Sequence, residues 1–84
     1  MTSRKWKLKQ QIEQNPKNVS FSDLRTLLLA FGFTERSGKG SHSIFKRKGC
    51  YPLTVPFNRP VKQTYVKMAL SRINEIINQG EIDD

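Results

Sequence analysis

Residues 33–57 read FTERSGKGSHSIFKRKGCYPLTVPF, and along this stretch the apolar spacing changes from about 3.6 to about 2. Phe33 to Ser37 reads as a strand, Gly38-Lys39-Gly40 as a turn, Ser41 to Lys48 as a second strand, and Gly49-Cys50 as the next turn. Leu53, Val55 and Phe57 alternate with Thr54 and Pro56, as in a half-buried third strand. Pro52 and Pro56 lack amide donors, so this strand is expected at an edge or interrupted. Three strands joined by turns form an antiparallel meander, which can bury one face and leave the other open. On the second strand His42, Ile44 and Lys46 share one face, and Ser41, Ser43, Phe45 and Arg47 share the other. Each face holds one large apolar residue, so alternation alone does not say which is buried.

Helical spacing lies on both sides. Phe21, Leu24, Leu27, Leu28 and Phe31 form one apolar face. Ser20 with Asp23 resembles a capping box, Val19 and Leu24 are placed as a hydrophobic staple, and Gly32 sits where a C-terminal cap belongs. Further upstream, Arg4 to Gln14 predicts a helix with a weak apolar face, in which Leu8 and Ile12 share one side; Asn15-Pro16 ends it. Downstream, Val66, Ala69, Leu70, Ile73, Ile76 and Ile77 predict a last helix over about Gln63 to Asn78, with Gly80 as its stop. The order helix, helix, three strands, helix makes an α+β domain.

The whole chain has 84 residues, enough for one domain that buries ~60–65% of the surface its unfolded form exposes. No apolar run approaches the ~18–20 residues of a membrane span, and the charged N-terminal segment is not followed by the apolar stretch of a secretory signal. One cysteine excludes an internal disulfide, and one histidine excludes a His-rich metal site. The expectation is a cytoplasmic protein with no membrane association, no metal and no cofactor.

The net charge is +8, and it is segregated. Residues 1–35 carry six bases and three acids, residues 36–72 nine bases and no acid, and residues 73–84 four acids and no base. A solubilising charge would be scattered. A long acid-free segment instead sets up a positive field that attracts polyanions, so nucleic acid is the favoured partner class and an acidic protein the second.

The run Gly38-Lys39-Gly40-Ser41-His42-Ser43-Ile44-Phe45-Lys46-Arg47 is where chemistry is expected. Its two glycines permit positive φ and let backbone amides approach an anion. An imidazole titrates near neutral pH, so His42 can take a proton from a ribose 2′-hydroxyl or give one to a leaving oxygen. Neighbouring cations can offset the charge that builds on phosphorus. From residue types alone, simple binding outweighs catalysis: a lone histidine is usually a surface or packed residue, and Gly-Lys-Gly usually only a hairpin turn.

These residues also carry a resemblance. Gly38-Lys39-Gly40-Ser41-His42, then Ile44-Phe45, then Leu53-Thr54-Val55-Pro56, then Pro60-Val61-Lys62 and a final helix are similar to the HicA family, small toxins of bacterial and archaeal toxin–antitoxin systems. The Gly-Ser-His element followed by an aliphatic–aromatic pair is the specific part, and the similarity spans roughly residues 20–78. It implies a double-stranded-RNA-binding-domain-like fold, a three-stranded antiparallel sheet with helices packed on one face. It further implies mRNA interferase activity, a catalytic histidine at His42, and a HicB-type antitoxin as protein partner. Residues 20–80 then form the HicA-like RNA-binding and nuclease domain, residues 1–19 an N-terminal helical extension that short family members lack, and residues 81–84 an acidic tail. The loop Lys48-Gly49-Cys50-Tyr51 has no special counterpart in the family, and Leu29 is placed to pack against the extension.

The resulting expectation is a metal-independent ribonuclease that cleaves mRNA and so arrests translation, with His42 as general acid/base. Lys39, Gly40, Ser41, Lys46 and Arg47 are its expected RNA-binding residues. The alternative is a non-catalytic RNA-binding module of the same fold, and a third reading is an interaction protein whose positive surface meets an acidic partner. Other conspicuous residues have plainer roles. Cys50 reads as a free thiol in a turn, Tyr51 and Tyr65 as packing residues, Trp6 as the fastener of the first helix, Lys67 and Arg72 as a solvated face, and Phe45 as core.

Overall fold

The computed structural model describes residues 4–38 and 40–80. In chain order they form α1 (Arg4–Gln14), α2 (Phe21–Ala30), β1 (Thr34–Ser37), β2 (His42–Lys46), β3 (Leu53–Pro56) and α3 (Gln63–Asn78). The strands make one antiparallel sheet in the order β1-β2-β3, the expected meander.

Local chemistry sets the ends of α2. The Ser20 hydroxyl accepts the Asp23 amide at 3.1 Å, which satisfies one of the donors orphaned at a helix start. At the other end the Gly32 amide donates to the Leu29 carbonyl and the Phe33 amide to Leu28, the paired bonds of a Schellman motif. Gly32 has φ +92, and a Cβ there would come within 3.0 Å of the Arg47 Nε. The backbone therefore favours glycine, and a Cβ would in addition push the Arg47 side chain aside. The Arg47 Nε donates to the Phe31 carbonyl at 3.1 Å, tying the end of α2 to the chain leaving β2.

Burial settles the question that alternation on β2 left open. Phe45 is fully buried and Ser43 nearly so, whereas His42 and Lys46 are exposed and Ile44 is half-buried. The register pairs Phe45 with Leu53 and Ser43 with Val55, so the inward residues of β2 and β3 lie side by side. They join Leu24, Leu27, Leu28 and Phe31 around α2, and Val66, Ala69, Ile73 and Ile76 of α3, in one core. Burying this set, at ~1.5–3 kcal/mol per large side chain, is the main force holding helices to sheet.

The helix α1 packs against α2 and α3. Trp6 meets Phe31 edge to face with ring centroids 5.2 Å apart, and Ile12 is buried beneath. Trp6 thus fastens α1 to α2 through Phe31 of the main apolar stripe. Leu29 does not take part: it is 37% exposed, because α1 docks on the Phe31 side of the helix.

Other differences from expectation are local. β1 starts at Thr34, and β2 runs from His42 to Lys46, ending where Arg47 to Cys50 fold into a turn closed by the Cys50 amide on the Arg47 carbonyl. Gly49, third in that turn, has φ +85. β3 stops at Pro56; the next residue, Phe57, is 49% exposed, although its amide still donates to the Ser41 carbonyl at 2.8 Å. Tyr51 is 80% exposed, with the half-buried Arg72 guanidinium 5.9 Å from its ring, so neither plays the packing or solvated-face role expected of it. No helix among the described residues is long and apolar enough to cross a membrane. The acidic tail at 81–84 lies outside the described residues.

Two substitutions test this account. Ser20→Ala should lower stability by ~1 kcal/mol through loss of the cap. Phe45→Ala should cost ~3–5 kcal/mol, the scale of an emptied core site. Urea unfolding followed by far-ultraviolet circular dichroism reads both, and equal costs would contradict the buried face of β2.

Candidate nucleic-acid interface

The parity of β2 decides what the open face displays. His42, Ile44 and Lys46 stand in a row along it. The register sets Thr34 beside Lys46 and Arg36 beside Ile44 on one flank, and Thr54 beside Ile44 and Pro56 beside His42 on the other. Directly paired residues share a face, so all of these side chains point away from the helices. His42 and Lys46 are separated by ~13 Å of strand. Arg36 sits level with the midpoint, within diagonal reach of both.

Glu35, the sole acid in the three strands, takes the opposite parity and pairs with Arg25 of α2. The carboxylate is thereby turned away from the cationic face and neutralised. No carboxylate among the described residues lies within ion-pair distance of Arg36 or Lys46. The face therefore presents a guanidinium and an ammonium group beside the imidazole, and its field is positive.

A notch lies beside His42. The Gly38 amide donates to the His42 carbonyl at 2.9 Å, so the ladder continues one residue past β1 and sets Gly38 opposite His42. A Cβ on Gly38 would stand 3.4 Å from the His42 Cβ and 3.5 Å from the Ile44 Cγ1. A side chain at this position would rest against the root of the imidazole in ordinary contact, its tightest neighbour being the His42 carbonyl oxygen at 3.3 Å. Glycine leaves that space to a ligand, with His42 on one side and Arg36 two residues away. Gly40, in the hairpin loop, has φ +68 and no heavy atom near its missing Cβ, so there it serves the turn and not the packing.

The expected site residues separate into groups. His42 and Lys46 share the open face, whereas Ser41, exposed just before β2, has the parity of Ser43 and Phe45. Gly40 belongs to the loop that leads into it. Arg47 lies on the other parity, half-buried, with its Nε engaged by the Phe31 carbonyl, which makes it part of the scaffold at the α2 terminus. Lys39 lies outside the described residues. Arg36 is the face residue that reading the motif did not single out. Its signal was present: counting back by two from Gly38 gives Arg36 and Thr34, the same parity as the residue opposite His42.

A guanidinium and an ammonium on one face are groups suited to phosphate, and an imidazole beside them is a group that can move a proton. Comparison of the chain with protein-family models, with curated proteins and with solved structures gives no match.

The division between face and scaffold is measurable. Arg36→Ala should weaken binding of single-stranded RNA and reduce the slope of log affinity against log salt by ~0.7, the value of one phosphate contact. Arg47→Ala should leave that slope unchanged and lower the unfolding midpoint instead. A reversed pattern in salt titrations would place the contact surface on the wrong side of the sheet.

Proposed function

We propose that this protein is a toxin ribonuclease similar to the HicA family, a metal-independent mRNA interferase restrained by a HicB-type antitoxin. The observation that carries the proposal is the placement of His42: exposed on the uncovered face of the sheet, beside a glycine notch, with Arg36 and Lys46 on the same face. The order α2-β1-β2-β3-α3, with the core between the helices and one side of the sheet, supports the dsRBD-like reading of the fold. The sequence resemblance through Gly38 to Phe45 supplies the family.

In the proposed reaction a single-stranded segment of mRNA lies along β2 with its phosphates toward Arg36 and Lys46. His42 takes the proton of a 2′-hydroxyl. The 2′-oxygen bonds to phosphorus while the bond from phosphorus to the 5′-oxygen breaks, and the leaving 5′-oxygen takes a proton from water. Arg36 and Lys46 offset the charge on the phosphoryl oxygens as it grows. An acidic surface of the antitoxin, docked on the same cations, would exclude RNA from this face. Acting on mRNA, such an enzyme works in the cytoplasm.

A non-catalytic RNA-binding module is the second reading, supported by Arg36 and Lys46 standing exposed on one face, where a guanidinium and an ammonium could hold phosphate without any proton transfer. One assay separates the two. Wild-type protein incubated with a labelled transcript in EDTA should yield fragments, whereas gel retardation without fragments would identify a binder. His42→Ala should remain folded and retain RNA affinity but cut slower by a factor of about 10²–10⁴, the usual contribution of a general acid/base. Wild-type cleavage rates in His42→Ala would remove the histidine from the mechanism.

A further inference from the structure

Round the end of the sheet from His42 lies a groove of about 690 Å³, between the start of α2 and the loop that leaves β3. Its walls include Asn18, Phe21, Phe57, Asn58 and Arg59. The volume is within the range of sites that hold one small molecule. Three features give the groove a chemical character. Phe57 is 49% exposed, yet its ring is fixed by Phe21, edge to face at 4.3 Å between centroids. Arg59 brings a cation, and no carboxylate lines the groove. The amides of Asn18 and Asn58 bring paired donors and acceptors, the groups that read the edge of a base. The groove also adjoins the candidate site through the backbone, since the Phe57 amide donates to the carbonyl of Ser41, the residue before His42.

We propose that this groove is a nucleobase subsite: one base of a single-stranded RNA stacks on Phe57 while Arg59 holds a flanking phosphate. The proposal rests on RNA being the ligand of the neighbouring face. It adds a site on the helical side of the sheet, so the strand turns round the end of β2 and β3 and does not stop at His42. Stacking is sequence-tolerant, whereas the two asparagines can favour particular bases. The groove is therefore where a preference in cutting position arises.

The test uses the His42→Ala protein, which removes cleavage from the measurement, and fluorescently labelled single-stranded oligoribonucleotides. Phe57→Leu keeps an apolar contact for Phe21 but offers no ring face. It should bind about 5- to 100-fold more weakly, the usual loss of one base–aromatic stack. Phe57→Trp should bind at least as tightly as the parent with Phe57. An abasic residue scanned along the oligonucleotide should weaken binding at one position with Phe57 present and have no further effect there in Phe57→Leu. Arg59→Ala, an exposed substitution that leaves the ring pair intact, should weaken binding and lower the salt slope. Unchanged affinity in both Phe57→Leu and Arg59→Ala overturns the subsite, whatever protein segment the groove then takes. So does an abasic penalty that is the same at every position with and without the Phe57→Leu substitution. If Phe57→Leu with His42 intact still cuts at the wild-type rate and positions, the subsite fails and the nuclease reading survives. If the wild type binds oligonucleotides with the Phe57 coupling but never cuts them, the nuclease reading fails and the subsite survives.

Discussion

Phe45 is fully buried, and because side chains alternate along a strand, that burial turns His42, Ile44 and Lys46 to the opposite face. Energetics leave little choice between the two parities. Shifting β2 by one residue would bury His42 and Lys46 and expose Phe45. An unpaired buried ammonium costs several kcal/mol, and the lost burial of an aromatic ring adds ~1.5–3 kcal/mol. The observed parity buries only one small hydroxyl, that of Ser43. The position of the imidazole is thus a consequence of core packing.

The two ends of β2 are held in different ways. At one end the Arg47 Nε holds the Phe31 carbonyl beside Gly32. At the other the Ser41 carbonyl takes the Phe57 amide, and the Val61 amide reaches the Val19 carbonyl at 2.9 Å, joining the approaches to α3 and α2. The Arg47 bond lies outside the strand ladder and the Ser41–Phe57 bond continues it by one residue, and together they mark where the strand stops and starts. A side chain on a strand held at both ends is preorganised, and preorganisation is what a proton-transfer group or a phosphate contact needs. One cation of the basic motif is spent on this frame, which is why a run of charges read from sequence overstates the number of groups available to a ligand.

The helices were legible because their signals are local. Ser20 and Asp23, the stripe Leu24-Leu27-Leu28-Phe31 and Gly32 are complete within a dozen residues, and the observed α2 follows them closely. The three strands and their antiparallel order were legible from turn residues. The buried face of β2 was not, since Ile44 and Phe45 compete on equal terms within the strand. The missing information lies in β3, where Leu53 and Val55 face inward without ambiguity, and in the register that sets Phe45 against Leu53. Register depends on the turn between the strands, and that turn depends on a positive φ at Gly49, which no periodicity shows. The candidate site followed the same rule. His42 and Lys46 were visible in the motif, whereas Arg36 becomes a neighbour only once β1 is paired. Phe57 reads as a strand residue until Pro56 ends the strand and leaves the ring at the mouth of a groove.

A sheet face that no described helix covers, with two open edges, invites pairing with another chain, and the cations on this face guard against that. β3 carries Pro56 opposite His42. The Phe57 amide bonds to Ser41, so His42 and Pro56 form a pair without mutual ladder bonds, and the missing proline donor falls on the outer edge. An incoming strand finds a gap there. β1 is only four residues long and holds Glu35 and Arg36 side by side, with Arg36 on the open face. A second copy laid face to face would bring Arg36 and Lys46 against their own kind, and like charges resist that approach. Ile44, the one large apolar residue in the row, is half-buried between cationic neighbours and gives such a dimer little apolar area. The same cations that repel a second copy give the face the positive field that a polyanion would meet, so both effects trace to one set of side chains.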